Sequence, residues 1–187
     1  MRRFTLVTTL SIVTLVAGQT AMAQAPNADA AMEVRKQFLA DIDTLHSKFV
    51  ALANAFPADK YAWRPSPGVR SVGEAFQHVA AEFYVWGPMA YGGQRASVIQ
   101  AGREGMQKWE AASAKEEVLK NLNAGHDYIK QQIGKMDVAR LTGTQKLFGQ
   151  DMTIIQTSII MTADLHEHLG QLIAYARMNG IKPPWSQ

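Results

Sequence analysis

Five histidines and no cysteine define the chemistry open to this chain of 187 residues. Without Cys there is no disulfide, iron–sulfur cluster, covalent haem, thiolate zinc site or cysteine nucleophile. A metal ion would have to be held by imidazole and carboxylate. The histidines are His46, His78, His126, His166 and His168. His78 lies in Ala75-Phe-Gln-His-Val-Ala80, flanked by apolar residues that turn it inward. His168 falls on a helical seam with Ile154, Ser158, Met161, Leu165, Leu172 and Tyr175, and Asp164 precedes it by four residues. An i, i+4 pair brings two ligating atoms to one side of a helix, and His78 can supply a third from across a helix bundle. His78, Asp164 and His168 are therefore the candidate metal ligands. Three protein ligands leave a coordination position open, as in catalytic sites.

The alternative for each residue is plain. A histidine on an apolar face often serves as a hydrogen-bonded core residue, and Asp164 could simply pair with either imidazole. Glu82, one turn after His78, is a further ligand or base if it turns inward and a solvated helix residue if it does not. His166 is two residues from His168 and points away, towards solvent. His46 and His126 have no carboxylate at ligand spacing on an inward face and read as structural or surface residues. Tyr61, Trp63, Trp86, Trp109 and Trp185 read as core or bundle-end aromatics. There is no phosphate-cradling Gly loop, no Gly-x-Ser-x-Gly elbow and no His-Glu-x-x-His run. Nucleotide is excluded as a cofactor on that ground, and haem is set aside as a remote reading.

The elements that would position these residues follow from periodicity and capping. Phe38, Ile42, Leu45, Phe49, Leu52 and Phe56 recur at helical steps up to Pro57. The stretch 61–68 is a loop on its Pro and Gly content. Ser71-x-x-Glu74, Ser113-x-x-Glu116 and Thr153-x-x-Gln156 have the form of capping boxes. They predict helices from Val72 to about Trp86, ended by Gly87-Pro88, then one through Val118, Leu122, Ile129 and Ile133, and one from 154 to Met178. A looser Gly-rich connection is expected between 92 and 105, and a short extended piece within Leu141–Gly149. No segment alternates like a strand over any length. The fold class is all-α, a four-helix bundle spanning 31–187.

Residues 1–23 have the form of a secretory signal: Arg2-Arg3, an apolar run over 6–17 and the small-x-small site Ala21-Met-Ala23. Cleavage there leaves 164 residues beginning at Gln24, with 24–30 as a linker. Losing two arginines lowers the formal charge from +3 to +1, which removes the electrostatic case for nucleic acid or an anionic membrane. The expected location is periplasmic or secreted, with no membrane insertion after cleavage.

The sequence resembles the DinB/YfiT-like family of metal-dependent four-helix bundles over about 31–185. The resemblance is carried by Tyr61-Ala-Trp-Arg-Pro-Ser-Pro-Gly-Val-Arg-Ser71, by Glu74-x-x-x-His78-Val-Ala, and by Glu167-His-Leu-Gly-Gln171-Leu-Ile-Ala-Tyr175-Ala-Arg-Met-Asn-Gly180-Ile-Lys-Pro-Pro184. It implies three metal ligands, one histidine in the second helix and two histidines four apart in the fourth. His78 and His168 match the first and last, and Asp164 stands at the middle position. A carboxylate there is compatible with Zn, Ni, Fe or Mn. Some relatives are thiol-dependent transferases or isomerases, but thiol cofactors are cytoplasmic and an exported protein is better matched to hydrolysis or plain metal binding on a small-molecule substrate. The competing function is a metal-free, homodimeric binding or structural module on the same scaffold.

Overall fold

The computed structural model describes residues 26–186. The signal segment 1–23 lies outside them. Asn27 caps the first helix, its side chain accepting from the Ala30 amide, so α1 runs Ala28–Ala55 and takes in the end of the expected linker. Its apolar stripe, from Phe38 through Leu52, is buried along its length. Pro57 has no N–H to give the Ala53 carbonyl four residues back. The Tyr61 hydroxyl donates to that carbonyl instead, at 2.8 Å, and Lys115 Nζ closes those of Asn54 and Phe56.

Helix α2 (Val72–Ala81) starts at the expected capping box. The Ser71 hydroxyl accepts from the Glu74 amide, and the Glu74 carboxylate accepts from the Ser71 amide. Gly87-Pro88 does not end it. The chain passes through a π turn at Glu82–Trp86 and continues as a short helix α3, Gly87–Ala90, in which Pro88 occupies the first turn, where its missing N–H costs nothing. Helix α4 (Gly102–Ala111) occupies part of the connection expected to be loose. Helix α5 spans Lys115–Gly134, with Ala114 at its N-cap and no side-chain cap. The Ser113 box therefore does not form, because Ser113 packs its backbone against Gly73 of α2 instead. After a short α6 (Val138–Thr142), strands β1 (Thr144–Leu147) and β2 (Gln150–Thr153) make an antiparallel hairpin pairing Thr144 with Thr153 and Leu147 with Gln150. The third box does form, and Thr153 opens α7, Ile154–Met178.

The described chain is mostly helical. α1 packs on α5 and α7, and α2 packs on the same two helices. Their inward faces share one core, with Phe49, Phe76, Leu122 and Leu165 all fully buried. α4 lies outside this group, against α2, with Trp109 donating to the Gln77 carbonyl at 2.8 Å. Among the described residues, no helix is long and apolar enough to cross a membrane.

Candidate metal centre

His78, near the end of α2, and His168, on the last three turns of α7, meet where those helices pack. Their rings stand edge to face with centroids 4.8 Å apart. Glu82 follows His78 by one turn, at the start of the π turn. A π turn adds a residue to the helical repeat and often marks a functional site. Here it carries Glu82 and Trp86 towards the same interior space. One ligating atom each from His78, Glu82 and His168 lies within 4.8 Å of the others. His78 Nε2 and Glu82 Oε1 are 3.4 Å apart, which is the donor–donor edge of a tetrahedron with bonds of about 2.1 Å.

The site orients its own ligands. Glu110, from α4, accepts a hydrogen bond from His78 Nδ1 at 2.7 Å. That bond selects the tautomer whose Nε2 lone pair faces Glu82, as carboxylates do behind metal-bound histidines. Glu110 is held in turn by Arg70, whose Nε and a terminal nitrogen donate to its two oxygens at 3.0 Å each. Burial pushes the Glu110 carboxyl up, but the bonds from His78 and Arg70 outweigh it and keep it below the ordinary carboxylate range. On the other side, His168 Nδ1 lies 3.5 Å from Gln171 Oε1. The Gln171 amide donates to the Tyr175 hydroxyl, which donates to the Arg70 carbonyl. Burial and the neighbouring His78 hold the His168 imidazole below its usual pKa, so it is neutral and able to ligate at neutral pH.

Glu82 is the anomaly. It is 4% exposed and, among the described residues, has no arginine or lysine bonded to it. Burial first, then the charge and hydrogen bond of Asp164, push its carboxyl up to about 9. Two carboxyl groups and two imidazoles facing one another offer nitrogen and oxygen lone pairs to one space. The residues therefore fit a divalent ion with nitrogen and oxygen ligands.

Asp164 lies one turn before His168, with Oδ2 3.8 Å from His168 Nε2, and its side chain is 42% exposed. It touches the same space from the rim, while Glu82 completes the close group of three. A cavity of ≈ 290 Å³ opens from this group. Its lining combines the polar His78, Glu82 and Asp164 with the apolar Trp86, Phe148, Ile160 and Met161.

The remaining histidines lie elsewhere. His166 is half exposed, 3.5 Å from Asp41, on an apolar cleft between α1 and α7. His46 and His126 stack face to face between α1 and α5, with centroids 3.9 Å apart. His126 bonds Asp43 at 2.8 Å and His46 bonds Asn123 at 3.0 Å. Parallel rings committed to separate partners do not converge on an ion. Sequence spacing missed two contacts, Glu110 with His78 and Asp43 with His126. Each joins helices far apart in the chain, and Glu110 sits on a helix that was not expected.

Comparison with curated proteins and with solved structures returns no match. The sequence does match the DinB superfamily across residues 41–172. That span runs from the middle of α1 to α7 and takes in His78, Glu82, Asp164 and His168. The chain belongs to the DinB superfamily.

Proposed function

We propose that this protein is an exported divalent-metal-binding four-helix bundle of α1, α2, α5 and α7, with the site where α2 and its π turn meet α7, and that it acts as a metal-dependent hydrolase on a small substrate. The ligands are His78, Glu82 and His168, with Asp164 beside them. The observation that carries this reading is Glu82: a carboxyl buried among a second carboxyl and two imidazoles, within 4.8 Å of both histidines. Fold stability alone gives no reason to bury that group.

A bound ion would supply Lewis acidity towards a carbonyl, a phosphoryl group or water. The chain's own residues divide the rest of the work. Glu110 and Arg70 hold His78 in its ligating tautomer, and Gln171 holds the His168 ring. Asp164, open to the cavity, is placed to take a proton from water entering there. The signal-like segment 1–23 supports export and cleavage after Ala23, and export separates the protein from cytoplasmic thiols.

The test is a thermal melt of the metal-free protein with and without Zn²⁺, Ni²⁺ or Mn²⁺. An ion that binds only the native state at a hundred times its dissociation constant adds about 2.7 kcal/mol. Wild type should melt higher with metal and His168→Ala should not. No shift in wild type alongside a clear shift in Asp164→His would mean that the natural protein is a metal-free scaffold.

A further inference from the structure

The β1–β2 hairpin places a large apolar side chain where the fold has no use for it. The turn between Leu147 and Gln150 has two residues, Phe148 and Gly149, with φ of +50° and +79°. Two-residue turns of this kind need positive φ at both positions and favour Asn-Gly, Asp-Gly or Gly-Gly. Phe148 is the one described non-glycine residue with positive φ. The residue is also 67% exposed, so burial does not offset the strain. The ring centroid lies instead 5.9 Å from that of Trp86, in the lining of the cavity that also takes in His78, Glu82 and Asp164. Ile160 and Met161 of α7 continue the apolar wall. At ≈ 290 Å³ the cavity stands at the lower edge of the roughly 300–1,000 Å³ typical of small-molecule sites.

We propose that Phe148 and Trp86 form an apolar clamp that selects the ligand of this site, a small molecule with one metal-seeking oxygen group and an aromatic or branched aliphatic arm. This rests on the metal reading given above for the identity of the polar end. The apolar arm lies against the edges of the touching Phe148 and Trp86 rings and against Met161, where it covers surface that water otherwise faces. The strain at Phe148 is kept because Asn at that position would suit the turn but leave the arm uncovered.

Isothermal titration of Zn²⁺-loaded protein with acetohydroxamate and benzohydroxamate separates the two ends of the ligand, since the probes share a zinc-binding group and differ in the phenyl ring. Wild type should prefer benzohydroxamate by roughly tenfold or more, as burial of a ring face predicts. Phe148→Asn should lose that preference while keeping Zn²⁺ affinity unchanged and the melting temperature equal or higher, because Asn relieves the turn. Phe148→Trp should keep the preference. Equal affinity for the two probes in wild type, or a preference that survives Phe148→Asn, overturns the clamp. If the protein takes up no Zn²⁺, the metal reading fails and the clamp is read separately, by saturation-transfer NMR of benzyl alcohol with metal-free protein. Transfer that is lost in Phe148→Asn supports the clamp, and its absence in wild type overturns it.

Discussion

Replacing Glu82 by Gln in the metal-free protein should stabilise it, although a change of a buried residue ordinarily does the reverse. The Glu82 carboxyl titrates at about 9 in the fold, raised chiefly by burial and then by Asp164, against an ordinary value of 4.5 in the unfolded chain. Between those values the native state binds a proton that the unfolded state has released. Stability from this group is therefore full below pH 4.5 and is lost as pH rises towards 9. At about 1.36 kcal/mol per pH unit, the loss has reached about 3 kcal/mol by pH 7. Gln keeps the shape and a donor without the titration. Glu82→Gln should thus match wild type near pH 4 and exceed it by about 3 kcal/mol at pH 7, a rise of roughly 6–12 °C in melting temperature. Depressed groups such as His168 and Glu110 act in the opposite sense on the acid side, and the difference between variant and wild type cancels them. The assay is urea unfolding in excess chelator from pH 4 to 9. A wild-type curve that runs parallel to that of Glu82→Gln throughout, or a variant less stable at pH 7, would refute the reasoning.

Two further substitutions test the scaffold around the site. In Gly73→Ala the new Cβ would lie 2.3 Å from the Ser113 carbonyl oxygen, a backbone atom that cannot rotate away. Despite the better helix propensity of Ala, the protein should lose about 1–3 kcal/mol, read by chemical denaturation. Tyr61→Phe leaves the Ala53 carbonyl without its buried donor and should cost about 1–3 kcal/mol, with no change in metal affinity by competition titration.

The residues that could be read in the sequence were those whose signals are local. Ser71-x-x-Glu74 and Thr153-x-x-Gln156 form their caps because each needs only its own first turn. Ser113-x-x-Glu116 has the same pattern but does not form, since tertiary contact with Gly73 claims Ser113. Gly87-Pro88 looks like a helix end, yet proline in a first turn is tolerated once a π turn has reset the helical repeat. That turn also explains why Glu82, which spacing alone left as either a ligand or a solvated helix residue, is buried beside His78. His168 was legible from the period of 3.6 along its seam, and His78 from its apolar neighbours. Glu110 was not, because its partner is 32 residues away on a different helix and polar, Gly-containing α4 has only Met106 and Trp109 as large apolar residues to mark it.

The claim that His78, Glu82 and His168 form a metal centre is tested most directly by titrating metal-free protein with Zn²⁺ against a chromogenic chelator. Wild type should take up one equivalent with an affinity that falls as pH drops through the histidine range. His78→Ala, His168→Ala and Glu82→Gln should each lose that equivalent, and His166→Ala should keep it. No uptake by wild type, or uptake that persists in both His78→Ala and His168→Ala, would contradict the account.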